Sequence, residues 1–483
     1  MHWIDAVIFI AYMLVLLAVG FYFLRKNKNA EDYFVSGRNM TRWHIGLSVV
    51  ATDVGGGFSI GLGGLGFLMG LSGSWMLFTG LIGAWLSAVI LIPKIHPLGK
   101  DIKFFTFPQV FGHFFNKRVA LVAGIISAIG YLGFTSSQIL AGAKLASASF
   151  VSLDMTTALI VMGIITVGYT VLGGMNAVIY TDTIQWIVLI GGLCLLGIPL
   201  AYNAIGGMDA IQATLSKDFL SLTNITWQTL VNWGVTIIPI WFVGMTLYQR
   251  IYASRDVKEA KKAWFIAGLF EWPVMAFMGV ALGLFARVAA EQGMFAGLGF
   301  ATAGSMDPEM GLPILLRTIL PVGLMGVMMA VYFSAILSTA DSCLMAASGN
   351  IITDILHHFF HIDHDSKRTL RLSQLFTLVL GIFAIVLASM MGNVLELMLY
   401  SYAFMVSGLF VPLVAALFFK KTNSNAAILA MIGGGLTTVI LSIAIKELPF
   451  GLDANLFGIL TSLILFVAGS YLLPQKQPIL KTV

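Results

Sequence analysis

Charged residues and cysteines are scarce in this chain of 483 residues. Only 10% of its residues are charged, and its two cysteines are Cys194 and Cys343. Soluble domains have about 25% charged residues, so the low charge excludes a soluble enzyme, a nucleic-acid-binding domain and a disordered chain. Both cysteines lie in apolar stretches without CxxC or His/Cys metal spacing, which argues against a disulfide framework.

Long apolar runs fill most of the chain. Hydrophobic residues make up 58% of it, and the mean hydropathy is +0.93. A helix needs about 20 apolar residues to cross a bilayer, so we predict one all-α, polytopic membrane domain over residues 1–483. The thirteen candidate spans are 4–24, 44–66, 73–93, 119–146, 154–172, 178–203, 227–248, 263–288, 316–346, 372–392, 396–419, 425–444 and 454–473.

Basic residues in the loops predict the orientation. With thirteen spans, most of them fall on one side, in loops 25–43, 94–118, 249–262 and 347–371. The loops on the opposite side contain only two basic residues, Lys217 and Lys446. Cytoplasmic loops are rich in Lys and Arg, so we expect a cell (inner) membrane protein with its N-terminus outside and its C-terminus in the cytoplasm. Acidic Asp5 precedes the first span and basic residues follow it, the reverse of a signal peptide, so we expect this span to be retained.

Two spans contain helix-breaking residues at corresponding positions. Span 44–66 contains three consecutive glycines at 55–57, and span 227–248 contains Gly234, Pro239 and Gly244. Interrupted segments in corresponding places of two halves are typical of inverted-repeat transporters. The alternative is that glycines only allow close helix packing. We predict repeats over 44–203 and 227–420, an extra first helix and loop over 1–43, and two extra helices over 421–483.

Four carboxylates interrupt apolar spans: Asp53, Asp182, Glu271 and Asp341. A charge inside a membrane costs at least about 2.5–3.5 kcal/mol, so each is a functional candidate. Asp53 is expected to hold an ion or a substrate ammonium, or to cap a broken helix. Glu271 is expected to contact substrate or to close a helix break at Pro273.

Oxygen atoms at two places favour a hard cation such as Na+. If the second span unwinds, the carbonyls of Ala51 and Val54 lose their helical partners. The second place is a strip formed by Ala335, Ser338, Thr339, Asp341 and Ser342. The alternative for the serines is bonding back to their own helix. Because Asp182 and Asp341 are expected at one depth and would repel each other, a second cation site is predicted at Asp182, Ser338, Asp341 and Ser342.

Several motifs identify a resemblance. They are 31–38 (EDYFVSGR), 51–57, 173–185 (GGMNAVIYTDTIQ), 249–252 (QRIY) and 338–342 (STADS). With these, the chain resembles the sodium/solute symporter family over roughly residues 1–420. The resemblance implies a LeuT-like fold with one additional helix in front. It also implies co-transported Na+ without an organic cofactor, and a small-molecule solute and the lipid bilayer as partners, without nucleic acid.

The resemblance also implies site residues. It places the main sodium site at Ala51, Val54, Ala335, Ser338 and Thr339. A second sodium site in some members matches Asp182, Ser338 and Ser342, while Asp341 stands where that pattern has serine. The substrate candidates, from their polar or aromatic character and their positions, are Asp53, Gly55, Gly56, Phe58, Thr135, Gln138, Trp241, Glu271 and Tyr400.

Na+-coupled symport of a small solute, by alternating access, is the expected function. Sugar-transporting members have glutamine where Phe58 stands, and the choline branch has tryptophan in place of Asp53. The proline branch has aspartate there, so an amino acid, a carboxylate or another small zwitterion is preferred. The alternatives are a proton-coupled symporter, or a sugar-, vitamin- or choline-type Na+ symporter. A transporter-like sensor, a passive channel and an enzyme are disfavoured, the last because no nucleophile–base pair or metal motif is present.

Overall fold

A computed structural model describes the chain apart from residues 1, 27–39, 54, 151–152, 357–366, 420–422, 446 and 475–483. The described residues form helices and loops without a named strand. Their one isolated β-bridge pairs Met40 with Ser254.

Ten α-helices lie among the described residues of the first half of the chain. They are α1 (Trp3–Lys26), α2 (Arg42–Asp53), α3 (Gly55–Met69), α4 (Trp75–Ile90), α5 (Ile92–Asp101), α6 (Pro108–Phe114), α7 (Lys117–Ser149), α8 (Met155–Gly192), α9 (Ile198–Ala204) and α10 (Gly207–Thr214). A π-helical segment, Leu193–Gly197, joins α8 to α9, and a 3-10 turn, Gly70–Ser74, joins α3 to α4.

In the second half, the described residues form ten more α-helices. They are α11 (Trp227–Val243), α12 (Met245–Ala253), α13 (Val257–Leu269), α14 (Ala276–Glu291), α15 (Pro308–Ile319), α16 (Leu324–Gly349), α17 (Lys367–Ser389), α18 (Val394–Phe418), α19 (Ser424–Ala444) and α20 (Ala454–Leu472). π-helical segments lie at Phe270–Met275 and Asn350–Leu356, and short 3-10 turns lie at Lys217–Leu220, Ala296–Leu298, Ala303–Ser305 and Pro449–Gly451.

Many of these helices are long enough to cross a membrane. In the described residues, nine are long and apolar enough, or ten if the bent pair α11–α12 counts as one span. Two shorter apolar helical stretches are Trp3–Val15 and Met155–Gly168. The all-helical, multi-pass prediction is therefore confirmed, whereas the count of thirteen stays a prediction.

The predicted spans 154–172 and 178–203 do not have a helix boundary between them. Helix α8 covers 38 residues, Met155–Gly192. A straight helix of that length would be about 57 Å long. Both ends of this stretch nevertheless lie beside the same part of α16, because Ser149 Oγ, shortly before it, donates to Met329 Sδ (3.0 Å) and a Cβ at Gly192 would lie 2.3 Å from Met328 Sδ. The chain therefore turns back within this stretch, and its division into two spans stays a prediction.

Two helix breaks lie close to the positions that the sequence indicated. Helices α11 and α12 meet at Gly244 and are bent by 41°. The segment Phe270–Met275 contains Trp272 with a non-helical backbone (φ −136°, ψ 123°), next to Pro273. In the second span, α2 ends at Asp53 and α3 begins at Gly55. Val54 lies outside the described residues, so unwinding there stays a prediction.

Loops that were predicted to share a side contact one another. Met40 N of loop 25–43 donates to Ala253 O of loop 249–262 (3.0 Å), and His96 Nε2 of loop 94–118 is hydrogen-bonded to Ser254 O of the same loop 249–262 (3.0 Å). Thr106 Oγ1 of loop 94–118 donates to Asp354 Oδ1 of loop 347–371 (2.9 Å). On the other side, Gln292 Nε2 donates to Ile205 O (2.8 Å), which joins loops 204–226 and 289–315. These contacts agree with the alternation of loops along the chain.

Helix α16 is almost entirely buried and lies at the centre of the bundle. It packs against α1, α2, α3, α7, α8 and α17. Its N-terminal end is held by Asp5 of α1, whose Oδ1 accepts hydrogen bonds from the amides of Gly323 (2.7 Å) and Gly326 (2.8 Å). Asp5 is 2% exposed, and a carboxylate is stabilised at a helix N-terminus. The acidic residue in the first turn of α1 therefore anchors this helix to the central helix.

Replacing Asp5 tests this anchor. Asp5→Ala removes an acceptor of two charge-assisted hydrogen bonds, each worth about 1.5–3 kcal/mol, so the melting temperature of the purified protein should fall clearly. Asp5→Asn keeps an Oδ1 acceptor and should lower it less. Equal losses in the two variants, measured by thermal unfolding in detergent, would contradict the anchoring role.

Candidate ion and solute site

The Asp182 carboxylate is the centre of a buried polar network between four helices. Ser48 Oγ of α2 donates to Asp182 Oδ2 (2.7 Å), and Ser338 Oγ of α16 donates to Oδ1. Arg250 of α12 approaches the carboxylate, with 3.6 Å between Nη2 and Oδ2. The side chains of Asp182 and Arg250 are fully buried. Buried charges are stable only when paired and hydrogen-bonded, and this network meets both conditions.

Arg250 connects the same four helices through its other contacts. Nη2 donates to Thr52 Oγ1 (2.6 Å) and to Ser342 Oγ (2.9 Å), and Nε donates to Ser48 Oγ (3.2 Å). Nη1 donates to the carbonyl of Thr246 one turn earlier (3.3 Å). Arg250 falls in loop 249–262, which was predicted to be cytoplasmic. Its placement in that loop is wrong, because its partners hold the guanidinium inside the bundle.

The main predicted sodium residues come together in part. Thr339 Oγ1 donates to the carbonyl oxygen of Ala51 (2.8 Å) and more weakly to that of Ala335 (3.3 Å). Ala51, Ala335, Ser338 and Thr339 are all at least 96% buried. Val54 lies outside the described residues. The end of α2 therefore faces the hydroxyls of α16, and this contact provides backbone and side-chain oxygen atoms together.

The predicted second cation group separates into two parts. Ser338 bonds to Asp182, and Ser342 contacts Arg250 and, at 3.4 Å, Thr52. Asp341 points elsewhere and accepts a hydrogen bond from Thr170 Oγ1 of α8. Among the described residues, no three His, Cys, Asp or Glu side chains group into a metal site. Any cation at this place would therefore be held by mixed carboxylate, hydroxyl and carbonyl oxygens.

Helix α7 contacts the backbone just after both central breaks. The amide of Gly57, in the first turn of α3, donates to Gln138 Oε1 (3.2 Å). The amide of Thr246, in the first turn of α12, donates to the hydroxyl of Tyr131 (3.1 Å). A Cβ at position 57 would lie 2.3 Å from Gln138 Oε1, so glycine is required there for this approach. Of the predicted substrate residues, Gln138 is the one that this geometry joins to the broken helix.

The other predicted substrate residues have separate surroundings. Thr135 Oγ1 bonds back to the carbonyl of Tyr131 in its own helix (2.8 Å). Trp241 is fully buried against Gly83, and Glu271 is fully buried against Gly80 in the π-helical break. Tyr400 is 46% exposed and donates to Glu396 (2.7 Å). The side chains of Asp53 and Phe58, and the surroundings of Gly55 and Gly56, lie outside the described part of the structure.

A buried ion cluster at the opposite ends of these helices was missed from the sequence. Lys144 of α7 is 3% exposed, and its Nζ lies 2.6 Å from both Asp307 Oδ2 and Glu309 Oε2. The two Glu309 oxygens also accept bonds from the first amides of α18, those of Val394 (2.9 Å) and Leu395 (3.0 Å). A lone lysine within span 119–146 was the available signal, because membrane-embedded charges require partners.

The described residues form a bundle of apolar helices around a buried network of charges and hydroxyls, and a family model identifies the class of protein. The model of the sodium:solute symporter family matches residues 33–434. The chain belongs to the sodium:solute symporter family, as the resemblance of the motifs implied. The protein is a Na+-coupled symporter in a multi-pass membrane fold, and its family and relatives are transporters.

Relatives with different named substrates match nearly the full chain. A sodium/glucose cotransporter of Vibrio parahaemolyticus is 26% identical, over 96% of this chain and 89% of its own length. The high-affinity proline transporter PutP of Bacillus subtilis is 28% identical, over 92% of this chain and 94% of its own. A solved Na+-coupled sialic acid symporter in a substrate-bound outward-open state has a TM-score of 0.80, with 22% identity and coverage of 98% and 99%. That structural likeness shows the fold.

Separating the central charges tests the network. Arg250→Gln leaves Asp182 buried without its cationic partner, which typically costs about 3–5 kcal/mol. The melting temperature should therefore drop strongly. Arg250→Gln with Asp182→Asn removes both charges and should recover part of that loss, as coupled neighbours do. A double variant as unstable as the sum of the two single variants would show that the charges do not interact.

Proposed function

We propose that the protein imports a small organic solute together with Na+ by alternating access. The solute is an amino acid, a carboxylate or another small zwitterion. Import runs into the cell across its inner membrane, with the N-terminus outside and the C-terminus in the cytoplasm. No organic cofactor takes part. Each Na+ that moves down 100 mV adds about 2.3 kcal/mol to the driving force, besides its concentration gradient.

The proposed main Na+ site consists of Ala51, Val54, Ala335, Ser338 and Thr339. The single observation that supports it best is the 2.8 Å contact between Thr339 Oγ1 and the Ala51 carbonyl. This contact brings a backbone oxygen of α2 and a hydroxyl of α16 together in the bundle interior. Because hard cations prefer oxygen ligands, Na+ would bind to both oxygen atoms once the hydroxyl hydrogen has rotated away, and it would link the two helices.

The proposed architecture is a LeuT-like 5+5 inverted repeat with thirteen spans. Repeats over 44–203 and 227–420 would place α2–α3 and α11–α12 at equivalent positions. The 41° bend at Gly244 and the helix ends at Asp53 and Gly55 support this equivalence. Residues 1–43 and 421–483 would flank the repeats. Alternating access then corresponds to movement of the broken helices and their partners around the central site.

The solute class is inferred from two helix N-termini. The amides of Gly57 and Thr246 lie in the first turns of α3 and α12, and each meets a polar side chain of α7. Helix N-termini carry partial positive charge and favour anionic groups. A solute carboxylate that displaces Gln138 from Gly57 would satisfy the same donor. This supports an amino acid or carboxylate over a neutral sugar.

The proposed second cation site is Asp182, Ser338, Asp341 and Ser342. Arg250 already lies 3.6 Å from Asp182 and 2.9 Å from Ser342. A second Na+ would be repelled by the guanidinium, so this site requires a state in which Arg250 has moved away. We therefore expect the main site to provide the coupling in the arrangement that the structure describes.

Proton coupling in addition to Na+ is the second candidate, and Asp341 favours it. Its carboxyl is fully buried, and among the described residues Oδ2 has no hydrogen-bond partner. A protonated carboxyl costs less to bury than a carboxylate. Uptake driven by a pH gradient in Na+-free buffer, and lost in Asp341→Asn, would show that protons also drive transport.

Removing two hydroxyls tests the main Na+ site. Ser338→Ala with Thr339→Ala should abolish the rise in melting temperature that Na+ gives over equimolar K+, since ligands that bind the native state stabilise it. It should also abolish Na+-stimulated uptake in vesicles, with a solute chosen by thermal-shift screening. Ser136→Ala, whose hydroxyl bonds only back to Leu132 in the described contacts, is the matched control. Unchanged Na+ dependence in the double variant would overturn the assignment.

Adding one methyl group tests the solute site. In Gly57→Ala the new Cβ would lie 2.3 Å from Gln138 Oε1 and must displace that side chain. We expect the KM of the transported solute to rise at least tenfold while Na+ still raises the melting temperature. Gly297→Ala, at a position with open space around it, is the control. An unchanged KM in Gly57→Ala would place the solute elsewhere.

A further inference from the structure

A separate cavity lies at one end of the bundle, away from the Asp182 network. Its volume is about 870 Å³, and it opens between α11, the first turns of α18, the end of α19 and the start of α20. Sites for small molecules typically enclose about 300–1,000 Å³. None of the residues assigned to the Na+ site lines this cavity; of the solute candidates only Tyr400 does.

Carboxylates give the cavity its charge. Glu396, Glu447 and Asp453 line it, and no lysine or arginine is present among its described lining residues. Asp453 precedes α20 but makes no capping hydrogen bond to that helix. Burial raises the pKa of Asp453, as expected for a carboxylate without a cationic partner. Like charges that share a cavity attract a cation.

Polar and aromatic groups supply the rest of the recognition surface. Asn455 lines the cavity, is 1% exposed and donates its amide to Val235 O (3.0 Å) and Thr236 Oγ1 (2.9 Å). Within the described residues, its Oδ1 accepts no hydrogen bond. The aromatic residues Trp233 and Tyr400 also line this cavity. Aromatic faces and carboxylates together are the usual surroundings of an organic ammonium ion.

We propose that this cavity binds a small organic cation, an alkylammonium ion, between the carboxylates of Glu396, Glu447 and Asp453. Asn455 Oδ1 is then the acceptor for an N–H group where the ligand has one. The ligand would bridge α11, α18 and α20. Since α11 leads directly into the bend at Gly244, binding would change how readily that bend moves.

Binding can be measured without knowing the transported solute. Tetramethylammonium is titrated into the purified full-length protein by calorimetry, at constant Na+ and ionic strength, and neutral tert-butanol of similar shape is the comparison. Tetramethylammonium should bind saturably and tert-butanol should not. Glu447→Gln with Asp453→Asn should weaken binding at least tenfold. Asp209→Asn, an exposed carboxylate in α10, should leave it unchanged.

Two results would overturn the proposal. One is the absence of saturable tetramethylammonium binding, and the other is equal affinity in the wild type and the cavity variant. A cooperative thermal unfolding transition, measured on every variant, shows that each is folded. Binding that is lost in Ser338→Ala with Thr339→Ala but kept in the cavity variant would place the cation in the central site. That outcome refutes the cavity and leaves the proposed transport function intact.

Discussion

The structure depends on one buried pair of opposite charges. Asp182 and Arg250 lie on α8 and α12, and the hydroxyls around them belong to α2 and α16. Neither charge could remain in an apolar interior without the other. The pair therefore fixes the relative positions of four helices, and with them the contact between the Ala51 carbonyl and Thr339. Any cation that enters this region acts on an arrangement that the protein's own guanidinium already organises.

Hydropathy predicted the helices well where each span is separate and uniformly apolar. The spans beginning at residues 73, 396, 425 and 454 agree with helix bounds to within two or three residues. The bend near Gly244 was also anticipated, because glycine and proline weaken a helix in any surroundings. The boundary predicted after residue 172 stays a prediction, because helix α8 covers both sides of it while the two ends of that stretch lie beside the same part of α16.

Charged residues were harder to place than apolar ones. Asp182 was grouped with Ser338, Asp341 and Ser342 because Asp182 and Asp341 were expected at one depth, and the contact from Ser338 to Asp182 agrees. Arg250 was assigned to a loop because a basic residue at the end of a span normally faces water. Only its tertiary partners keep it inside. Tyr400 was grouped with the solute residues by type alone, whereas its surroundings are the acidic cavity.

The capping of α18 by Glu309 has a mechanical consequence. The carboxylate of Glu309 accepts hydrogen bonds from the first two amides of that helix and also pairs with the ammonium group of Lys144. If α18 tilted alone, it would leave a carboxylate and an ammonium ion with too few partners in a dry interior. We therefore expect the beginning of α18 to move together with the short helix α15, whereas Pro412 removes a backbone hydrogen bond farther along α18.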